Sequence, residues 1–443
     1  MTSTASAGTT APIPDPGRAQ ARILRVLVAS QVLSGAGLAA GVTVGALLAE
    51  DMLGSTSLAG LPSTLFTAGS ALAAVFVGRV SQTHGRRPGL AAGYLTGAVG
   101  SAGVILAAVL DVPVLLFAAL FVYGAGTATN LQARYAGADM AAPGHRARAV
   151  STVLVATTLG GVVGPNLTAP TGTFAEHLGI PRLAGPFLLS GAAYALAALV
   201  LALWLRPDPL LLARAAAAGA GESGAGPGPA TPGAQVSPGT QGAPGADGTD
   251  GSRGGVVLGT LVMVLTQLVM VAVMTMTPVH MRDHGHGTGA SGLVIGIHIG
   301  AMYLPSPLTG WLVDRYGRAS VAGAAGVTLL ASGVLAAAAP GDSVALLALA
   351  LALLGLGWNF GLVSGTAIIT DTVPLATRAR TQGLVDVSIA VAGATGGMAS
   401  GLVVAAAGYP VLALAGGVLS LALLPAVAAS ARGRRARAPL PGE

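Results

Sequence analysis

Twelve runs of predominantly apolar residues constrain this chain more than any other feature. They lie near 24–48, 58–79, 89–109, 113–133, 149–170 and 186–205, and again near 256–278, 291–311, 319–339, 343–369, 381–405 and 410–429. About 20 apolar residues cross the hydrocarbon core of a bilayer as a helix. Lipid leaves a spanning backbone no outside hydrogen-bond partner, and helices satisfy it internally. The expectation is an all-α membrane protein with twelve transmembrane helices. Of its 443 residues, 9% are charged and 53% hydrophobic, against roughly 25% charged in soluble domains. That balance excludes a water-soluble enzyme or a nucleic-acid-binding protein and makes the lipid bilayer the first partner.

The arginines orient the spans. The chain has 22 basic residues, all Arg, scattered in short loops. With the N-terminus inside, 20 of the 22 fall on the cytoplasmic side and only Arg182 and Arg282 outside, as the positive-inside rule requires. Both termini are therefore expected in the cytoplasm, with the protein in the plasma (inner) membrane of a prokaryote. Residues 1–23 read as a cytoplasmic tail without a cleavable signal, and residues 431–443 as a basic tail. Between them, residues 24–212 and 256–430 form two six-span units. The segment 213–255, rich in Gly, Pro, Ala and Ser, reads as a disordered cytoplasmic linker.

The two units repeat each other. Gly78, Gly85 and Arg86 in GRVSQTHGRRP recur 232 residues later as Gly310, Gly317 and Arg318 in GWLVDRYGRAS. The same offset carries Asp139, Arg146 and Arg148 onto Asp371, Arg378 and Arg380. Paired halves of this kind mark transporters with a central site between repeats.

One stretch, Met263 to Met302, is chemically unusual. It holds six of the ten Met and four of the seven His. Met270 and Met274, and His298 and Met302, are spaced i,i+4 and so share a helix face. Thioethers and imidazoles suit Cu(I) or a related metal, and Cys is absent, leaving Met and His as the softer donors. Helical rise places Met270 level with His298 and Met302 near the midplane, on consecutive spans expected to be neighbours. Met276 and an outer loop with His280, Met281, His284 and His286 are candidates for metal capture. Met is equally an ordinary filler of apolar helices, and HMRDHGH equally an ordinary polar loop.

These motifs resemble the major facilitator superfamily, over both halves. The resemblance implies two pseudo-symmetric six-helix bundles and a loop latch formed by Gly310, Asp314, Arg315, Gly317 and Arg318, with Gly78, Gly85 and Arg86 in the first half. Gln82 stands where the family carries an acid, which implies a weaker first-half latch. Gly160, Gly164 and Pro165 resemble the Gly-x-x-x-Gly-Pro pattern of proton-driven exporters, or else pack helices through small residues. The Met-x-x-x-Met and His-x-x-x-Met pairs resemble the CcoA-like copper importers. That resemblance implies Met270, Met274, His298 and Met302 as metal ligands. The wider group includes riboflavin importers without the metal pattern.

Asp386, early in the eleventh span, is a candidate proton carrier, since an ionisable group within a span is costly. The alternative is a boundary charge paired with Arg378 or Arg380. Gln31, Asn130, Gln132, Asn166, Gln267, Asn359, Trp358 and Tyr303 are candidates to line a cavity. There is no nucleotide-binding loop and no catalytic constellation, so the chain is read as a non-enzyme without a cofactor. The expected function is secondary transport of copper or a similar metal ion inward by a monomer. The competitors are a proton-coupled exporter of organic compounds and an importer of a small organic nutrient such as riboflavin.

Overall fold

The computed structural model describes residues 15–53, 61–223 and 246–436. Among them, all regular structure is helical. The first half comprises α1 (Pro16–Leu53), α2 (Leu61–His84), α3 (Arg86–Leu110), α4 (Pro113–Ala138), α5 (Arg146–Asn166), α6 (Thr168–His177) and α7 (Gly185–Trp204). A further helix, α8 (Pro209–Ser223), follows. The second half comprises α9 (Ala246–Asp283), α10 (Thr288–Tyr303), α11 (Ser306–Tyr316), α12 (Arg318–Ala338), α13 (Val344–Thr372), α14 (Arg378–Ala407), α15 (Tyr409–Ser420) and α16 (Leu423–Ala436). The ends of the expected linker are thus helical, in α8 and the start of α9, while residues 224–245 lie outside the described residues.

Eleven described stretches are long and apolar enough to span a bilayer. The twelfth crossing is α5 with α6. It must cross, because α4 ends at the arginine-rich face, beside Arg86, and α7 begins beyond α5, against Thr171 and Gly172 of α6. Large apolar side chains such as Leu72, Phe76, Val114 and Leu402 face outward, as helices in lipid require.

Three crossings are broken, each for the same reason. Proline has no N–H to reach the carbonyl four residues back. Pro170, Pro307 and Pro425 would reach Asn166, Tyr303 and Leu421, and α5, α10 and α15 end at Asn166, Tyr303 and Ser420. Pro278 is different. The expected end of its span there is wrong, because α9 continues through Pro278 to Asp283. His280 and Met281 are therefore helical rather than part of an outer loop.

Each half packs around its own apolar core. The halves meet along two seams, α2 against α14 and α5 against α11. Small residues permit the approach. A Cβ on Gly383 would lie 2.6 Å from the Ala74 carbonyl oxygen, and one on Gly78 2.9 Å from that of Ala379. Gly310 meets Ser151 in the same way on the other seam.

Candidate functional site

At the arginine-rich face the side chains follow the 232-residue repeat. Arg86 donates to Asp139 at 2.7 Å, and its repeat mate Arg318 forms an ion pair with Asp371 at 2.5 Å. Each aspartate also receives an arginine from across the repeat. Arg378 lies 3.8 Å from Asp139, and Arg146 lies 2.5 Å from Asp371. Two Arg–Asp–Arg clusters therefore straddle the boundary between halves. Arg86 also donates to Gln382 in the second half. Gly85 and Gly317 turn the chain here at φ +98° and +93°, a conformation that costs glycine little.

The loop motifs dock onto helix N-termini. Asp314 accepts from the backbone N–H groups of Ala147 at 3.2 Å and Arg148 at 3.1 Å, in the first turn of α5. Gln82 accepts from those of Ala379 at 2.7 Å and Arg380 at 3.3 Å, in the first turn of α14. The two sets of residues differ by the repeat offset. An N-terminus offers unpaired N–H groups and a partial positive charge, which suits a carboxylate and also an amide oxygen. The first-half latch expected to be weaker is formed all the same, by hydrogen bonds in place of charge. Gln82 loses the charge but adds donation to Ala376 O at 2.6 Å and Leu375 O at 3.2 Å. Arg214 of α8 adds hydrogen bonds to Gln82 O at 3.0 Å and Leu375 O at 3.3 Å, one in each half. Of the latch residues expected from the motif, Arg315 is exposed and takes part in none of these contacts.

Deeper in the seam, Arg134 of α4 pairs with Asp386 of α14 at 2.7 Å, with both side chains buried. Tyr135 donates to the same carboxylate oxygen at 3.3 Å, and Arg134 donates to Thr366 at 3.1 Å. The other oxygen of Asp386 is buried without a hydrogen-bond partner among the described residues. The expected partners of Asp386, Arg378 and Arg380, are incorrect. Both lie about two turns back, toward the face, where Arg378 joins Asp139. The pairing was hidden because Arg134 sits at the very end of the fourth span and reads as one more inside charge. A buried carboxylate needs a compensating partner, and that is the signal that could have pointed to it.

Further into the second half, Trp358 donates its indole N–H to Gln267 at 2.7 Å and meets the Tyr303 ring edge-on at 5.7 Å. The other candidate lining residues are tied up within their own bundles. Gln31, Tyr94, Ser34, Asn130 and Thr157 form one network in the first half. Gln132 donates to Ala74 O, and Asn359 to Met302 O. The Asn166 side chain lies outside the described ones.

The Met and His residues fall differently from expectation. α9 packs on α13, α14 and α15, and α10 packs on α13, with little direct contact between α9 and α10. The consecutive spans are thus not facing neighbours, because α13 lies between them. Met270 and Met302 are buried in one apolar cluster with Met263 and Met281, and Met274 and Met276 pack against it. His298 is fully buried, and its Nδ1 bonds Leu351 O of α13 at 2.9 Å, while Nε2 has no partner among the described residues. Met281 is 0% exposed, so it is unavailable for capture from outside. No three His, Asp or Glu side chains among the described residues converge as a metal site. Gly160 and Gly164 are buried, and Gly160 meets the α1 backbone at Val32 and Ala36, which is helix packing. The Pro165 side chain lies outside the described ones.

Comparison with known proteins agrees with this architecture. The family model of the Major Facilitator Superfamily matches residues 27–304 and 259–443. The chain is 57% identical over 413 residues to the uncharacterized MFS-type transporter YdeG of Bacillus subtilis, covering 93% of this chain and 92% of that one. It is 29% identical over 367 residues to the riboflavin transporter RfnT of Brucella anthropi, covering 82% and 84%. Among solved structures, the human organic anion transporter MFSD10 superposes with a TM-score of 0.71 at 15% identity, over 92% of this chain and 99% of that one.

Proposed function

Because the chain belongs to the major facilitator superfamily, a family of transporters rather than enzymes, we propose that it is a proton-coupled transporter of a small, planar organic solute. The arginine-rich face is the cytoplasmic one, in the plasma membrane, and the structure represents the state latched on that side. A single chain supplies both halves of the site, so the working unit is a monomer.

The Arg134–Asp386 pair carries this reading. It joins the halves from within the membrane and has no counterpart at the repeat positions, which are Thr366 and Leu154. Protonating Asp386 cancels its attraction for Arg134 and loosens the seam, so proton binding is linked to the opening of the latch. The solute class rests on buried Trp358, oriented by Gln267, and half-buried Tyr303, whose rings opening of the seam would bare for stacking. The 29% identity to a riboflavin transporter makes riboflavin the first solute to test.

Uptake of labelled riboflavin into right-side-out vesicles is expected to depend on an inward proton gradient. Asp386→Asn is expected to remove that dependence. A wild-type pH profile in the variant would overturn the coupling role. Absence of uptake for riboflavin and for other planar solutes would overturn the solute class.

A second reading, transition-metal import, is supported by one observation: the buried, unpartnered Nε2 of His298 in the same bundle as Met270, Met274 and Met302. It ranks second because α13 separates the two helices that carry the donors. Copper uptake in the same vesicles, lost in His298→Leu, would reverse the order.

A further inference from the structure

The far end of α9 carries a cluster that neither the latch nor the seam uses. His280 and His284 are one helical turn apart, with ring centroids 4.3 Å apart. Two nitrogens bound to one zinc ion at about 2.0–2.1 Å in tetrahedral geometry stand roughly 3.3 Å from each other, a spacing that rings this close can adopt. Both rings are held. His280 stacks on Tyr409 at the start of α15, with centroids 4.4 Å apart and planes 15° apart. The Tyr409 hydroxyl is in turn 2.9 Å from that of Thr277. His284 lies over Gly341 in the loop between α12 and α13, where a Cβ would collide with the imidazole.

The hydrogen bonds select the tautomer. His284 Nδ1 donates to His280 O at 2.8 Å, which leaves Nε2 as a lone-pair donor. Ligating histidines are commonly oriented in this way, by giving their other N–H to a backbone carbonyl. His286 repeats the arrangement, with Nε2 on Gly341 O at 2.8 Å. His284 is exposed and His280 half-buried, so an ion reaches the pair from solvent.

We propose that His280 and His284 form a site for a divalent late transition metal, such as Zn2+ or Cu2+, at the end of α9 opposite the arginine-rich face. Water completes the coordination. The site is separate from His298, which is buried against α13, and it stands whether the transported solute is organic or metallic.

The test uses the full chain in lipid nanodiscs, purified without a histidine tag. Titration with ZnCl2 by calorimetry is expected to give one saturable site per chain. His280→Ala and His284→Ala should each weaken it by at least about tenfold, since loss of an outer-shell partner alone costs 10–100-fold. His177→Ala, on an exposed histidine at the same face, should leave it unchanged. One equivalent of Cu2+ should show two-nitrogen ligation by electron paramagnetic resonance in the wild type and one-nitrogen ligation in either variant. The absence of a saturable site, or binding unchanged by both substitutions, would overturn the proposal.

Discussion

Asp314 and Gln82 occupy equivalent places in the two halves, and each caps the start of a helix in the opposite half, α5 for Asp314 and α14 for Gln82. One is a carboxylate and the other an amide. The carboxylate gains from the helix dipole, and Arg148 lies 3.9 Å away. The amide has no charge to offer, but its N–H groups reach two carbonyls that a carboxylate would repel. The same geometric task is met by charge on one seam and by hydrogen-bond count on the other. A missing acid in a motif therefore does not by itself mean a missing latch.

The comparison breaks most severely one layer deeper, where the halves are not equivalent at all. Arg134→Ala removes the partner of buried Asp386 and has no symmetric substitute. It is expected to abolish uptake and lower the thermal midpoint, since breaking a buried ion pair costs about 3–5 kcal/mol. Thermal unfolding of the purified variant checks this, and a midpoint like wild type would mean the pair is dispensable.

Next in size is Gly383→Val. Its Cβ would lie 2.6 Å from Ala74 O, so α2 and α14 must separate and the latched state must lose population. The chain has no cysteine, which makes spin labels at Arg79→Cys and Arg380→Cys clean reporters. The label distance should lengthen in the Gly383→Val background and stay short without it.

The two latches themselves should respond alike. Asp314→Ala and Gln82→Ala each remove acceptors from two N–H groups, a loss of about 1–3 kcal/mol for the closed state. Similar shifts of the same label distance are expected, whereas a negligible effect of Gln82→Ala would restore the view that its seam is weak. The smallest effect belongs to Gln82→Glu. It adds the dipole attraction but sets a carboxylate against Leu375 O and Ala376 O, so transport rate should change by no more than about a factor of five, under 1 kcal/mol.

Much of this protein is legible without coordinates, because span length, apolar content and arginine placement are properties of a linear stretch. Pro170, Pro307 and Pro425 likewise mark the three broken crossings, since a lost backbone bond acts within one turn. The repeat offset makes Arg86–Asp139 and Arg318–Asp371 equivalent pairs, although only the structure brings each arginine to its aspartate. Pro278 shows the limit of such local reading, because α9 continues past it, with Thr277 and His280 on either side in contact with Tyr409 of α15. Helical spacing alone determined that Met270 shares a face with Met274, and His298 with Met302. Only the tertiary structure decided that α13 lies between those two faces, that His298 turns to Leu351, and that Asp386 finds Arg134. Which helices become neighbours depends on how whole surfaces of small and large side chains fit together, and no single segment contains that information.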